Sequence, residues 1–465
     1  MSELRDIIVV GAGPAGLSAA LTASGLGLDV LVLDEQPALG GQLYRNIEKA
    51  NEQTLKILGS DYGRGRHLIE KFRNSNAEHL AGATVWNIEA NGNVYYSKAG
   101  QSSEIRGKHV ILAIGAAERS VPFPGWTLPG VMGAGAVDSN FKSSGTIPEG
   151  PVVFAGSGPL FLSTLGHMTS LGVEIGAVLD TTPQGNLLAA LPFLPRAMKR
   201  LDYFLKGAGM LLNLRRLGIK YAKGINGYEA HGRDRVEKVS YSSKNGVQHV
   251  EAGVFLVHEG LVPRCDFTQL LGLKHCWDAA QRYWYPQINH VGATEIDTIY
   301  VVGDGAFVHG GMPAITKGSL AAVDIAGKLN ALPLDSKTVT LAKLEKKLSS
   351  ELDFRPFVDV LFRPRSNLFK MSDQTLVCRC EEVTAGEIRR AINEGCLDSN
   401  ETKAITRCGM GRCQGRMCGS ALNEIIIDEL NRQPLDTQPL RMRPPVRNIS
   451  LAELSQLSLF KNRVR

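Results

Sequence analysis

Apolar residues fall along this chain in short unbroken blocks, and the blocks run into glycine. Ile7, Ile8, Val9 and Val10 enter Gly11-Ala12-Gly13-Pro14-Ala15-Gly16, after which an alanine-rich stretch has the pattern of a helix. A second block, Asp29 to Leu33, ends on Asp34 and Glu35. Strand, glycine turn, helix and strand in this order predict a dinucleotide-binding unit. Gly11 allows the tight turn, Gly13 lets the backbone approach a pyrophosphate, and Gly16 lets helix and strand close up. The helix N-terminus then faces the phosphates, and Asp34 stands about where a ribose hydroxyl would lie. The paired Gly40 and Gly41, with Gln42, leave backbone open to a ligand and predict a second contact loop.

Residues 48–76 are charged with a helical pattern, and residues 83–96 read as strands. The block His109 to Ile114 ends at Gly115, and the prolines from Pro122 to Pro129 mark a domain boundary. The opening pattern then repeats: Val152 to Ala155, Gly156-Ser157-Gly158-Pro159-Leu160-Phe161, and a strand from Val173 that ends on Asp180. Phe161 stands where the third glycine belongs, so helix and strand cannot sit as close. Two readings stay open for this unit, an adenine nucleotide site (NAD or ATP) and a relic that binds nothing. Between Pro195 and Lys220, Arg196, Lys199, Arg200, Lys206, Arg215, Arg216 and Lys220 lie among leucines and Phe204. A solvated amphipathic face is the expectation there, and a partner or membrane contact is the alternative. Near Thr298 a strand runs into Gly303-Asp304-Gly305, followed by a helix-like stretch from Met312 that carries Gly318 and Ala321. A carboxylate at that strand end suits a sugar-alcohol hydroxyl of a cofactor, or an ordinary helix cap.

The 465 residues exceed one core. We divide them into a discontinuous first dinucleotide-binding domain (1–120 and 285–330), a second nucleotide-binding-like domain (121–284), a charged linker or packing arm (331–372), a cysteine domain (373–430) and a basic tail (431–465). The fold class is α/β, two nested Rossmann-like domains plus a small helical domain. A net charge of +6 is modest for this length and gives no nucleic-acid signature. No uncharged apolar run is long enough to span a membrane, and the first strand starts too early to leave room for a signal peptide. The expected location is cytoplasmic, with peripheral contact at the inner membrane left open.

Six of the eight cysteines lie between Cys378 and Cys418, a local cluster that points to metal rather than disulfides. Cys378 and Cys380 precede Thr384-Ala385-Gly386-Glu387, which reads as a capping box opening a helix. Cys408, Cys413 and Cys418 follow in a glycine-rich run. Two pairs on two turns make a four-thiolate site, and the glycines, which free backbone N–H groups to face bridging sulfides, favour iron-sulfur over zinc. Five cysteines compete for four places, and Cys408 is the one left out, as a fifth candidate. Cys265, Cys276 and Cys396 read as buried apolar residues.

Together the Gly11 turn, the Gly303-Asp304 return and the nested second unit resemble the two-dinucleotide flavoproteins of the thioredoxin reductase kind. That resemblance implies FAD held by Gly11, Ala12, Gly13, Pro14, Ala15, Gly16, Asp34, Glu35, Gly41, Gln42, Gly115, Gly303 and Asp304. No cysteine precedes Cys265, so the redox-active pair of those reductases is missing and disulfide reduction is not expected. The C-terminal cysteines resemble the ferredoxin-like 2Fe-2S domain, and by position Cys378, Cys380, Cys413 and Cys418 match its ligands. The order of parts resembles the family of opine oxidase A subunits, hydrogen cyanide synthase subunits and hydroxyproline or proline dehydrogenase alpha subunits.

This resemblance implies an electron-transfer subunit. A separate amine-oxidising flavoprotein subunit, with or without a third small subunit, would take electrons from a secondary amine such as octopine or nopaline. A quinone or other acceptor would receive them. No His or carboxylate pair at a spacing that marks a general base stands out in the sequence, which agrees with a catalytic pocket on the partner. The alternative of another class is a stand-alone NAD(P)H-dependent flavin reductase using the second unit. A third is a scaffold whose nucleotide site holds something redox-inert.

Overall fold

The computed structural model describes residues 4–457. Its first apolar block is the strand Leu4–Val10, parallel to Val30–Asp34 on one side and to the far half of Gln101–Leu112 on the other. Flanked on both edges and covered on both faces, Ile7, Ile8 and Val9 are wholly buried, and a strand so placed must be apolar at every position. Glu78–Ala81 extends the sheet beyond Val30–Asp34. Asn93–Lys98 and Thr84–Ile88 extend it antiparallel from the near half of Gln101–Leu112. The seventh strand, Ile299–Val301, comes from far along the chain and pairs with Val110 to Leu112.

Two helices lie against one another over this sheet, Pro14–Gly25 and Gly311–Lys328. Their closeness is set by glycine. A Cβ on Gly318 would stand 2.1 Å from the Ala15 carbonyl oxygen, and one on Gly16 would stand 1.9 Å from the Gly11 carbonyl oxygen. Backbone therefore meets backbone at both points, with no side chain to yield.

The second unit is a five-stranded parallel sheet in the order Tyr221–Lys223, Ile175–Asp180, Val152–Gly156, Val254–His258, Val131–Gly133. A three-stranded antiparallel sheet, Gly227–His231, Lys238–Ser243 and Gly246–Glu251, shares a core with it around Phe123, Tyr228 and Phe255. The two crossings between the units, Ala116–Glu118 and Leu261–Pro263, pair antiparallel with each other.

The stretch after residue 330 is a helical packing arm. Leu334–Glu351 is tied to Gly311–Lys328 by Lys337 with Asp324 (2.8 Å) and by Thr316 with Glu351 (2.8 Å). Arg355–Leu361 buries Phe357 and Val358 against Ala190 and Ala197 of the second unit. The last domain has two short strands, Leu376–Cys378 and Val383–Thr384, and the helices Ala385–Asn393, Ser399–Thr406 and Gly419–Glu429. The Thr384–Glu387 capping box forms as its spacing predicts.

Beyond residue 431 the chain is not simply a solvated end. Leu440 and Val446 are buried, and the Val446 N–H donates to the Trp86 carbonyl at 2.8 Å. Of the tail cations, Lys461, Arg463 and Arg465 lie outside the described residues.

Replacing Gly318 by Ala forces the two helices apart. The expected loss is about 1–3 kcal/mol of stability, read by urea unfolding, with weaker retention of any cofactor seated against the Pro14–Gly25 N-terminus.

Candidate functional site

The Gly11 turn opens into a cleft of about 720 Å³ between the two units. Gly11 holds φ at +107°, and a Cβ there would stand 2.5 Å from the Ala113 carbonyl oxygen. Gly41 holds φ at +59° with its absent Cβ 2.8 Å from the Gly13 Cα, so the contact loop crosses directly over the turn. Gly13 caps the helix and Pro14 opens it, leaving first-turn N–H groups facing the cleft. This is a cradle that side chains would fill, and it fits a pyrophosphate.

Of the residues singled out from the sequence, Gly11, Gly13, Pro14, Ala15, Asp34, Glu35, Gly41, Gln42, Gly115, Gly303 and Asp304 all line this one cleft. Ala12 and Gly16 stand behind it. The Ala12 N–H donates to Asp34 Oδ2, and Gly16 makes the helix contact described above. Asp34 also accepts from the Gln36 N–H at 2.7 Å, so it shapes the loop while facing the cleft. Burial raises its pKa against those two backbone donors. Asp304 Oδ1 accepts the N–H groups of His309 and Gly310, both at 2.9 Å, so one carboxylate oxygen orders the approach to Gly311–Lys328.

Glu118, Lys142, Arg264, Phe267 and Arg447 also line the cleft and were not found from the sequence. Glu118 lies 2.7 Å from His258 Nδ1 and accepts from the Gly135 N–H at 3.0 Å, joining the crossing strands to the second unit. Arg447 reaches in from the tail, where it pairs with Asp266 and lies over the Phe267 ring.

The second glycine turn is kept, with Gly156 at φ +143° and Gly158 at +109°. Phe161 is 1% exposed and meets Phe154 edge-on at 6.2 Å, filling the space that a glycine would leave. Asp180 accepts from the Tyr221 hydroxyl and from the Thr182 N–H, both at 2.9 Å. The arm crosses the carboxyl ends of this sheet. Asn186 donates to the carbonyls of Leu361 (3.0 Å) and Arg363 (2.9 Å), and Arg365 pairs at 2.8 Å with buried Glu259, which also accepts from Thr181 and Tyr228. A nucleotide in a sheet of this kind would lie outside those strand ends.

Of the six cysteines in the last domain, all but Cys396 lie in its two cysteine runs. The sulfurs of Cys378, Cys408 and Cys418 all lie within 4.8 Å of one another and are buried. Cys413 is half-buried and its thiol neighbours that of Cys380, which is exposed. The Cys378 thiol is held well above its ordinary range, first by the neighbouring Cys418 thiol and then by burial. Soft thiols crowded this closely suit a metal centre that binds them as thiolates. A Cβ on Gly411 would stand 2.1 Å from that of Cys380, so the loop can close over this cysteine only with glycine there. Cys265 is buried as expected, whereas Cys276 and Cys396 are half-exposed rather than buried.

The two sites are joined by the tail. Gln414 and Arg416, which lie between Cys413 and Cys418, donate to the carbonyls of Pro445 and Val446, and the next residue, Arg447, lines the cleft.

Comparison with known proteins agrees with this arrangement. Residues 5–327 match the family model for pyridine nucleotide-disulphide oxidoreductases, and residues 376–428 match that for the BFD-like 2Fe-2S binding domain. The opine oxidase A subunit of Agrobacterium tumefaciens (strain Ach5) is 37% identical over 98% of this chain and 92% of its own length. The chain belongs to the family of opine oxidase A subunits. In this family setting it is a Rossmann-like flavoprotein oxidoreductase with an iron-sulfur domain. The hydrogen cyanide synthase subunit HcnB of Pseudomonas aeruginosa is 30% identical over 98% of this chain and 99% of its own. Among solved structures, the L-proline dehydrogenase from P. horikoshii shares the fold at a TM-score of 0.70 and 20% identity, covering 97% of this chain and 79% of that one.

Beneath the Asp304 loop, Lys317 is buried, with its Nζ 2.8 Å from His309 Nδ1. Burial lowers its pKa from 10.5 to about 8, against the pull of Asp304. The fold thus favours the neutral amine, so stability from this group is complete above about 10.5 and is lost as pH falls through about 8. Unfolding measured from pH 8 to 10.5 should show a rise on the order of 3 kcal/mol that Lys317→Met flattens.

Proposed function

We propose that this chain is the electron-transfer subunit of a heteromeric opine oxidase or dehydrogenase, carrying FAD in the Gly11 cleft and a 2Fe-2S cluster in the last domain. The substrate we infer is a secondary amine of the octopine or nopaline type, cleaved oxidatively to an amino acid and a 2-oxo acid on a partner flavoprotein subunit. The observation that carries the electron-transfer role is the tail bridge, which sets the cleft and the cysteine run on one short hydrogen-bonded path. The choice of opines rests on collinear similarity to opine oxidase A subunits over nearly the whole chain. Proline or hydroxyproline dehydrogenation and cyanide formation are the neighbouring readings, given the relatives named above.

When bound, the flavin and the cluster supply reversible electron storage. The protein's own part is placement. The Pro14 helix N-terminus and the N–H groups around Gly11 and Gly13 hold the pyrophosphate, Asp34 takes ribose hydroxyls, and Asp304 takes the ribitol. Cys378, Cys380, Cys413 and Cys418 would bind the cluster, and Cys408 would stay a thiol beside Cys378 and Cys418. The arm over the strand ends at Thr181 and Glu259, together with Phe161, argues against entry of electrons from a nicotinamide at the second unit. A quinone or other acceptor would receive the electrons that these groups store.

Serine at Cys378 or Cys413 should remove the cluster's visible absorbance, and serine at Cys408 should keep most of it. Equal loss at all three positions would show that the ligand set is wrong. The complex with its partner, titrated with octopine, nopaline or hydroxyproline, should bleach with one of them and stay coloured with NADH. Bleaching of the lone chain by NADH would make it a reductase, and the opine reading would fail.

A further inference from the structure

The segment from Asn186 to Leu217 carries a surface that neither the cleft nor the cluster uses. Among the described residues, 22 large apolar side chains are exposed, and ten of them lie between Leu187 and Leu217. The longest helix there, Leu201–Arg216, buries only Leu214 fully. Its protein-facing stripe is Tyr203, Gly207, Met210 and Leu214, spaced four, three and four residues. On the opposite side Leu201, Leu205, Ala208 and Leu212 repeat the same spacing and are all exposed, Leu205 at 74% and Leu212 at 53%. A helix apolar on two opposite faces is built to be covered on both.

The charge on this segment decides what covers it. From Asn186 to Leu217 there are six Lys and Arg and one acid, Asp202. Arg196, Lys199, Arg200 and Lys206 pair with Asp353, Asp202 and Asp61 at the rim. Arg215 and Arg216 are exposed at the helix end beside Leu212 and Leu217. Leucines and aromatic rings interleaved with more cations than acids fit the headgroup boundary of an anionic bilayer.

We propose that Asn186 to Leu217 docks this chain on an anionic lipid surface, with Leu201, Leu205 and Leu212 entering the acyl boundary and Arg215 and Arg216 at the headgroups. No helix among the described residues is long and apolar enough to cross a membrane, so the attachment is interfacial. Docking does not depend on which amine is oxidised.

The test uses the chain co-purified with its partner subunit, floated with phosphatidylcholine vesicles or with vesicles that also contain phosphatidylglycerol. The complex should float with the anionic vesicles and release as salt is raised. The double change Leu205→Glu, Leu212→Glu should lower the floated fraction about tenfold or more, with flavin and cluster absorbance unchanged. Arg215→Glu with Arg216→Glu should do the same, which separates lipid contact from a local packing defect. Failure to float with either vesicle overturns the proposal. So does hydrogen exchange over residues 201–216 that is slower in the lipid-free complex than in the lone chain, because the partner then covers the surface.

Discussion

Contact of backbone with backbone at three glycines is the constraint on which the structure rests. Gly16 lies against the Gly11 carbonyl, Gly318 against the Ala15 carbonyl, and Gly41 over Gly13. Each approach is shorter than any Cβ permits, so the first helix, the late helix and the contact loop converge on one turn. That convergence brings residues from opposite ends of the nucleotide-binding body to the same cleft, with Asp34 at one strand end and Asp304 at another. The seventh strand and its helix complete a site that the first hundred residues leave open on one side.

A different interaction sets how the domains sit. Arg365 and Glu259 form an ion pair that is almost fully desolvated, and Glu259 also receives two hydroxyl hydrogen bonds. Burying such a pair adds little net stability, but leaving either member alone is costly. Its effect is therefore positional, since the arm has one low-energy place across the second unit. Arg282 continues the same line by pairing with Glu424 of the cysteine domain and donating to the Ser366 carbonyl at 3.0 Å. The Trp126 indole N–H adds a bond to the Leu376 carbonyl at 2.6 Å, two residues before Cys378. The second unit has thus become a platform for the cysteine domain. That gives its sheet a physical role whether or not a nucleotide binds there.

What could be read from the sequence was what short-range chemistry fixes. The first turn, the contact loop, the Asp304 return and the cysteine cluster announce themselves through residue types within a few positions of one another, and the structure gathers the first three around one cleft. Phe161 was visible as a defect, although its packing against Phe154 was not. Glu118, Arg264 and Arg447 were invisible because each is placed by pairing partners far away in the chain. The tail read only as a basic segment, since nothing local shows that the Val446 N–H donates to the Trp86 carbonyl. The Pro444-Pro445 pair beside Arg447, a stiff approach to a buried valine, was the one available signal. Cys396 was misjudged because composition ranks cysteine as a core residue, while its neighbours on the helix-to-helix turn leave it half-exposed.

The cleft's electrostatics show why glycine rather than arginine dominates its signature. Arg45, Lys142, Arg264 and Arg447 line it, but so do Asp34, Glu35, Glu118, Asp138 and Asp304, and the sum is not basic. Most of those acids are already engaged. Asp34 and Asp304 accept backbone N–H groups, Asp138 holds Lys142 at 2.6 Å and lies 2.7 Å from His167, and Glu118 meets His258. A pyrophosphate here would be held chiefly by the helix N-terminus and the exposed amides of the turn, which attract an anion without a countercharge. Such donors act only at contact distance. A cleft that relies on them must let the ligand touch backbone, and glycine stands at Gly11, Gly13 and Gly41, where the turn and the contact loop come closest.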